Sequence, residues 1–140
     1  MRKALVVISV LILALNVCAC ASKQKKILLT QESQVKLRSI QTRVFDTSDR
    51  NLMLRTVIAT LQDLEFVIDD ADETLGTVSA TKLKGYVLRI TVSVRPRGDN
   101  QMIVRSNAQY NLQTVEDPEP YQQFFTALSK ALFLEAQRYE

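Results

Sequence analysis

Two stretches of this chain alternate strictly between apolar and polar side chains. Tyr86, Leu88, Ile90, Val92 and Val94 alternate with Val87, Arg89, Thr91, Ser93 and Arg95. Met102, Val104, Ser106, Ala108, Tyr110 and Leu112 repeat the pattern beyond a break at Pro96-Arg97-Gly98-Asp99-Asn100. A period of two marks a strand buried on one face. A slip of one residue would turn every apolar side chain toward water, so the pairing is specified. For the faces to coincide, Val94 is expected opposite Met102 and Val92 opposite Val104. That centres the turn on Gly98 and requires an odd loop of about three to five residues, for which the sequence has suitable turn chemistry. Arg89, Arg95, Arg105, Asn107 and Gln109 then project together from the other face.

Shorter patterns flank this hairpin. Residues 39–45 read as a strand with Ile40, Thr42 and Val44 on one face. Asp46, Thr47, Ser48 and Asp49 can each cap the free N–H groups of a helix start. Leu54, Val57, Ile58, Leu61 and Leu64 follow at helical spacing as one apolar stripe. Phe66-Val67-Ile68 reads as a short strand, residues 69–74 as an acid-rich turn, and residues 76–82 as another strand. After Asp117-Pro118-Glu119-Pro120, where a proline can open a helix, Tyr121, Phe125, Leu128, Leu132, Ala136 and Tyr139 fall on one helical face. Phe124 lies at its margin and Phe133 at the other flank, with Ala127 and Leu134 on the back. The order is β-α-β-β-β-β-α. It predicts an α+β domain in which an antiparallel sheet of about five strands packs against two helices, the helix-grip type of arrangement.

The chain begins differently. Arg2 and Lys3 precede an almost wholly apolar run at residues 4–15. At about 1.5 Å per residue that run is too short for the roughly 30 Å core of a bilayer, and it reads as a signal peptide. It closes on Val17-Cys18-Ala19-Cys20, which resembles the bacterial lipobox. Residues 1–19 are therefore expected to be removed and Cys20 to carry the lipid, palmitate included. Cys18 fits poorly, because Asn16 and Val17 stand where small residues are wanted. Ala21 in place of an aspartate implies sorting to the outer membrane, on its periplasmic side. Residues 20–36 read as the lipidated cysteine and a polar tether, and residues 37–140 as the single folded domain.

Composition narrows the chemistry. The chain has 140 residues, 18 basic and 15 acidic side chains and no histidine. Without histidine, Ser-His and Cys-His catalysis are excluded, and no enzymatic activity or cofactor is expected. Loss of Arg2 and Lys3 leaves the charge nearly balanced, with no basic stripe to hold a nucleic acid. Asp69, Asp70, Asp72 and Glu73 lack both the ligand spacing and the central glycine of a calcium loop, so no metal is expected. The arginine-bearing hairpin face is the candidate docking surface, since arginine is enriched at interfaces. Leu134, on the back of the last helix, is the competing contact.

Residues 46–82 run from a helix through Leu64-Glu65-Phe66-Val67-Ile68 and an acidic stretch to the strand led by Gly76 and Val78. This succession resembles the repeated unit of BamC-type outer-membrane assembly lipoproteins, in which a glycine usually stands where this chain has Glu65. The resemblance implies a small periplasmic lipoprotein without catalysis, held to the membrane by its lipid and attached to a larger envelope machine for outer-membrane protein assembly, efflux or secretion. No small-molecule substrate is expected on that reading. The alternative is a carrier that holds an apolar ligand between the sheet and the last helix, under Tyr121, Phe125, Leu128 and Leu132.

Overall fold

Of the four cap-forming residues at 46–49, Asp49 is the one that opens the helix: its Oδ1 accepts from the Leu52 N–H at 2.8 Å. The computed structural model describes residues 33–83 and 87–138. The chain divides into two units after Leu37. Of the first, residues 33–37 are described and are helical, so the end of the expected tether is helical rather than irregular. Cys18, Cys20, Tyr86 and Tyr139 lie outside the described residues.

In the second unit, residues 38–40 are helical and the elements follow as β1 (Thr42–Phe45), α1 (Arg50–Asp63), β2 (Val67–Asp72), β3 (Thr77–Leu83), β4 (Val87–Arg97), β5 (Gln101–Tyr110), β6 (Gln113–Thr114) and α2 (Glu119–Arg138). The fold is α+β, an antiparallel sheet in the order β1-β5-β4-β3-β2 with β6 also on β5. The first strand starts at Thr42, three residues later than its pattern suggested. Because β1 and β2 occupy opposite edges, α1 crosses the inner face of the sheet between them. It packs on β2, β3 and β4, while α2 packs on α1 and β5.

The hairpin faces come out as the alternation requires. Leu88, Ile90, Val92, Val94, Met102, Val104, Ser106 and Ala108 are all buried against the helices. The pairing itself is offset by two residues from the expected one: Val94 faces Val104, Val92 faces Ser106, and Pro96 faces Met102. Parity is blind to a shift of two, which leaves every side chain on its face. Pro96 and Arg97 continue β4, and the loop shrinks to residues 98–100 with Gly98 at φ 64°. Pro96 removes no ladder bond there. The Val94 N–H donates to the Gly76 carbonyl at 2.8 Å, so Pro96, two residues on, points its nitrogen past the start of β3. The alternation ends at Tyr110. Leu112, expected on the inner face, sits in the turn after Asn111 and is 93% exposed.

Two further differences lie around α1. Residues 69–72 form strand rather than turn, because β2 ladders onto β3 as far as Asp72 opposite Thr77. The turn is pushed to residues 73–76, where Gly76 has φ 67° and a side chain would meet the Val94 carbonyl at 2.6 Å. Arg50 Nη2 closes this turn onto the helix start by donating to the Thr74 carbonyl at 2.9 Å. At its other end α1 stops in a Schellman arrangement, with Phe66 N–H to Leu61 C=O and Glu65 N–H to Gln62 C=O, both 2.9 Å. Glu65 takes φ 66° there, a position glycine fills without strain.

Helix α2 buries more of its circumference than one stripe. Phe124, expected at the margin, is 1% exposed and packs 5.1 Å from Phe125, centroid to centroid. Tyr121 does something the stripe did not reveal. On the free edge of β5, β1 and β6 leave a gap, and the Tyr121 hydroxyl fills it. It accepts from the Ala108 N–H at 3.3 Å and from Gln41 Nε2 at 3.2 Å, and donates to the Val115 carbonyl at 2.7 Å. A buried Ala108 N–H would otherwise lack a partner, at a cost of about 1–3 kcal/mol.

Candidate partner-binding face of the sheet

With both helices on the inner face, the sheet's outer face is built entirely from the alternate residues of its strands. Cross-strand pairing places them in rows. One row reads Asp72, Thr77, Ser93, Arg105 and Thr42 from β2 to β1. The next reads Asp70, Ser79, Thr91 and Asn107, and the one beyond it Val67, Thr81, Arg89 and Gln109. Arg95 stands opposite Ile103 at the other end. Arg89, Arg95, Arg105, Asn107 and Gln109 thus share one surface, as parity predicted, and all but half-buried Gln109 are exposed. Among the described residues, none of these three arginines is paired with a carboxylate.

The sequence reading missed the acids of this surface. Asp70 and Asp72 face outward because the register shifts between Ile68 and Asp70, so that Asp69 is the bulged residue. Asp69 turns outward as well and accepts from the Thr81 hydroxyl at 2.6 Å. The face is therefore divided: carboxylates on the β2 edge, hydroxyls along β3 and the middle of β4, and guanidinium and amide groups on β4 and β5. The Ser79 and Thr91 hydroxyls lie 3.3 Å apart across the middle. A strand reading of residues 69–72 would have placed these acids, had the bulge been visible. Among the described residues, no three acids converge as metal ligands.

Leu134 is not part of this face. It is 52% exposed and lines a groove of about 750 Å³ between α1 and α2, with Leu52, Arg55, Ala59 and Ala131. Phe133, beside it in sequence, is 62% exposed. The candidate residues therefore divide between two surfaces on opposite sides of the domain. Under α2, where the carrier reading places a ligand, Tyr121, Leu128, Val92 and Val104 are fully buried, Phe125 nearly so, and Leu132 is half-buried. A smaller cleft, about 220 Å³, opens near the start of α2 between Phe66, Leu88, Tyr110 and Phe124. At its rim Lys82 Nζ donates to the Leu64 carbonyl at 2.9 Å and pairs with Glu65 at 3.1 Å.

Neither protein-family models nor curated proteins give a match to this chain.

Proposed function

We propose that the protein is a non-enzymatic lipoprotein, anchored through Cys20 to the periplasmic side of the outer membrane, that docks through the outer face of its sheet onto a larger envelope assembly. The observation that carries this reading is the unpaired arginine group, Arg89, Arg95 and Arg105, on a sheet face that both helices leave bare. Three guanidinium groups held on rigid strands present donors to carboxylates at little ordering cost. Kinship with BamC-type lipoproteins is part of the proposal. It is supported by the helix-strand-strand succession of residues 50–83 and by the left-handed backbone at Glu65, the position where that family usually has glycine.

The test is retention of co-purifying envelope proteins from detergent-solubilised membranes, with fatty-acid labelling run alongside. Cys20→Ser is expected to abolish labelling, and Arg89→Glu with Arg105→Glu to reduce retention in a salt-sensitive way while labelling persists. Loss with Leu134→Asp alone, indifferent to salt, would move the contact to the groove between the helices. Labelling that survives Cys20→Ser would overturn the anchor.

A further inference from the structure

Among the described residues, the carboxylates and guanidinium groups of the outer face form no ion pair with one another. Asp72 and Arg105 lie in a single cross-strand row, separated by Thr77 and Ser93. Three strand spacings put them roughly 14 Å apart. Asp70 and Asn107 end the adjoining row in the same way, separated by Ser79 and Thr91. Each row thus runs acceptor, hydroxyl, hydroxyl, donor, although Asp72 Oδ1 already accepts from the Leu75 N–H at 2.8 Å and only its second oxygen is left for a partner. A hydroxyl both donates and accepts, so each row is complementary to its own reverse.

A two-fold axis parallel to the strands, passing between β3 and β4, performs that reversal. It lays Asp72 of one copy over Arg105 of the other and Thr77 over Ser93. In the next row it lays Asp70 over Asn107 and Ser79 over Thr91. Every contact then occurs twice, as an isologous interface requires. Two sheets stacked with strands aligned to within about 30° and about 10 Å apart is an ordinary packing. We infer that the occupant of this face is a second copy of the chain, joined face to face about this axis. The inference rests on the reading of this face as a docking surface and assigns its occupant as a second copy, so that a larger assembly would meet the dimer rather than this face. An exclusively acidic partner would satisfy Arg105 but leave Asp70 and Asp72 facing like charge, at a cost. In these two rows a second copy satisfies both halves; in the third it lays Arg89 over Thr81 and Val67 over Gln109. The interface is polar and modest in extent, so association should weaken as salt rises.

The experiment uses the full chain in detergent, with micelles in large excess over protein, and reads its dimerisation constant by sedimentation at low and high salt. The expected result is a salt-sensitive dimer that Asp72→Arg and Arg105→Asp each weaken by about tenfold or more. The double variant Asp72→Arg/Arg105→Asp, which exchanges the charges and keeps the symmetry, should return to within about threefold of the original. If either single variant loses its fold by circular dichroism, Asp70→Lys and Asn107→Glu test the adjoining row by the same criterion. A chain that stays monomeric at every concentration overturns the inference, as do single variants without effect or a double variant that fails to recover. A monomer that still loses a co-purifying envelope protein through Arg89→Glu and Arg105→Glu overturns the second copy alone and leaves docking standing. A dimer restored by the charge exchange, with no envelope protein retained, supports the second copy and removes the larger assembly.

Discussion

The two faces of the sheet are written by the same strands, one residue out of step, and share almost nothing chemically. Along β4 and β5 the inner face reads Leu88, Ile90, Val92, Val94, Met102, Val104, Ser106 and Ala108, and the outer face reads Val87, Arg89, Thr91, Ser93, Arg95, Ile103, Arg105, Asn107 and Gln109. The inner set is closed under α1 and α2, with Leu61, Val57, Leu128 and Phe125 packed onto it. The outer set lies on the face opposite α1 and α2, and its charges form no ion pair among the described residues. The difference separates two kinds of selection on one backbone: packing sets the first face, and whatever comes to lie on the second is free to set its pattern.

Substitution should expose that division most strongly in the core. Leu61 is fully buried and Phe125 is 4% exposed. Truncating either to alanine removes apolar contacts and leaves a cavity, and each is expected to cost about 2–5 kcal/mol in denaturant unfolding. A loss below about 0.5 kcal/mol at both sites would mean that the inner face is not the one that holds the domain together.

A smaller effect sharpens the comparison, because two buried polar groups of the core should respond with opposite sign. The Tyr121 hydroxyl serves Gln41, Ala108 and Val115 at once. Tyr121→Phe strands a buried N–H and a buried carbonyl, and is expected to destabilise by about 1–3 kcal/mol. Ser106 is equally buried, yet its hydroxyl has no hydrogen-bond partner among the described residues. Ser106→Ala removes an unsatisfied group and should raise stability, by roughly 1 kcal/mol. Unfolding midpoints of the two variants on opposite sides of the parent would establish that polar groups in this core count only through their partners; a loss of stability with Ser106→Ala would break the contrast.

Much of this was readable from residue order, and the exceptions have physical causes. Apolar period fixes which side of a strand or helix is buried, so the hairpin faces, the stripe from Leu54 to Leu64 and the shared surface of Arg89, Arg95 and Arg105 follow from spacing. Period does not distinguish pairings that differ by two residues, and so Val94 meets Val104 rather than Met102. Residues 69–72 have the composition of a turn, but their main chain is claimed by β3 and their carboxylates reach water, so nothing opposes the strand. The bulge at Asp69 that turns Asp70 and Asp72 onto the arginine face is a property of the paired strands, not of either alone. The junction at Tyr121 was equally illegible, since it joins segments around residues 41, 108 and 115 that only the fold brings together.

The smallest expected effect concerns arginines, which occur on both faces and should betray which face they occupy. Arg43 pairs in register with Val104 and therefore belongs to the inner side. Its guanidinium lies 5.3 Å from the centroid of the Phe125 ring and donates to the Ser39 and Thr42 carbonyls at 3.0 and 2.9 Å. It covers the edge of the core with its stem and caps exposed carbonyls with its head, a use in which packing counts as well as charge. Arg89 and Arg105 touch no ring and no carboxylate among the described residues. Arg43→Ala is therefore expected to lower stability by about 0.5–1 kcal/mol, an effect that persists at high salt because most of it is contact. Arg89→Glu and Arg105→Glu together should stay within about 0.5 kcal/mol of the parent, as solvent-face changes do. The measurement is best made by denaturant unfolding under conditions where any face-to-face association is suppressed, at high salt and low protein concentration, since a dimer would add its own concentration-dependent stability. Equal losses for the two classes would show that the outer arginines also hold the monomer together, and the outer face would then no longer be free to serve a partner.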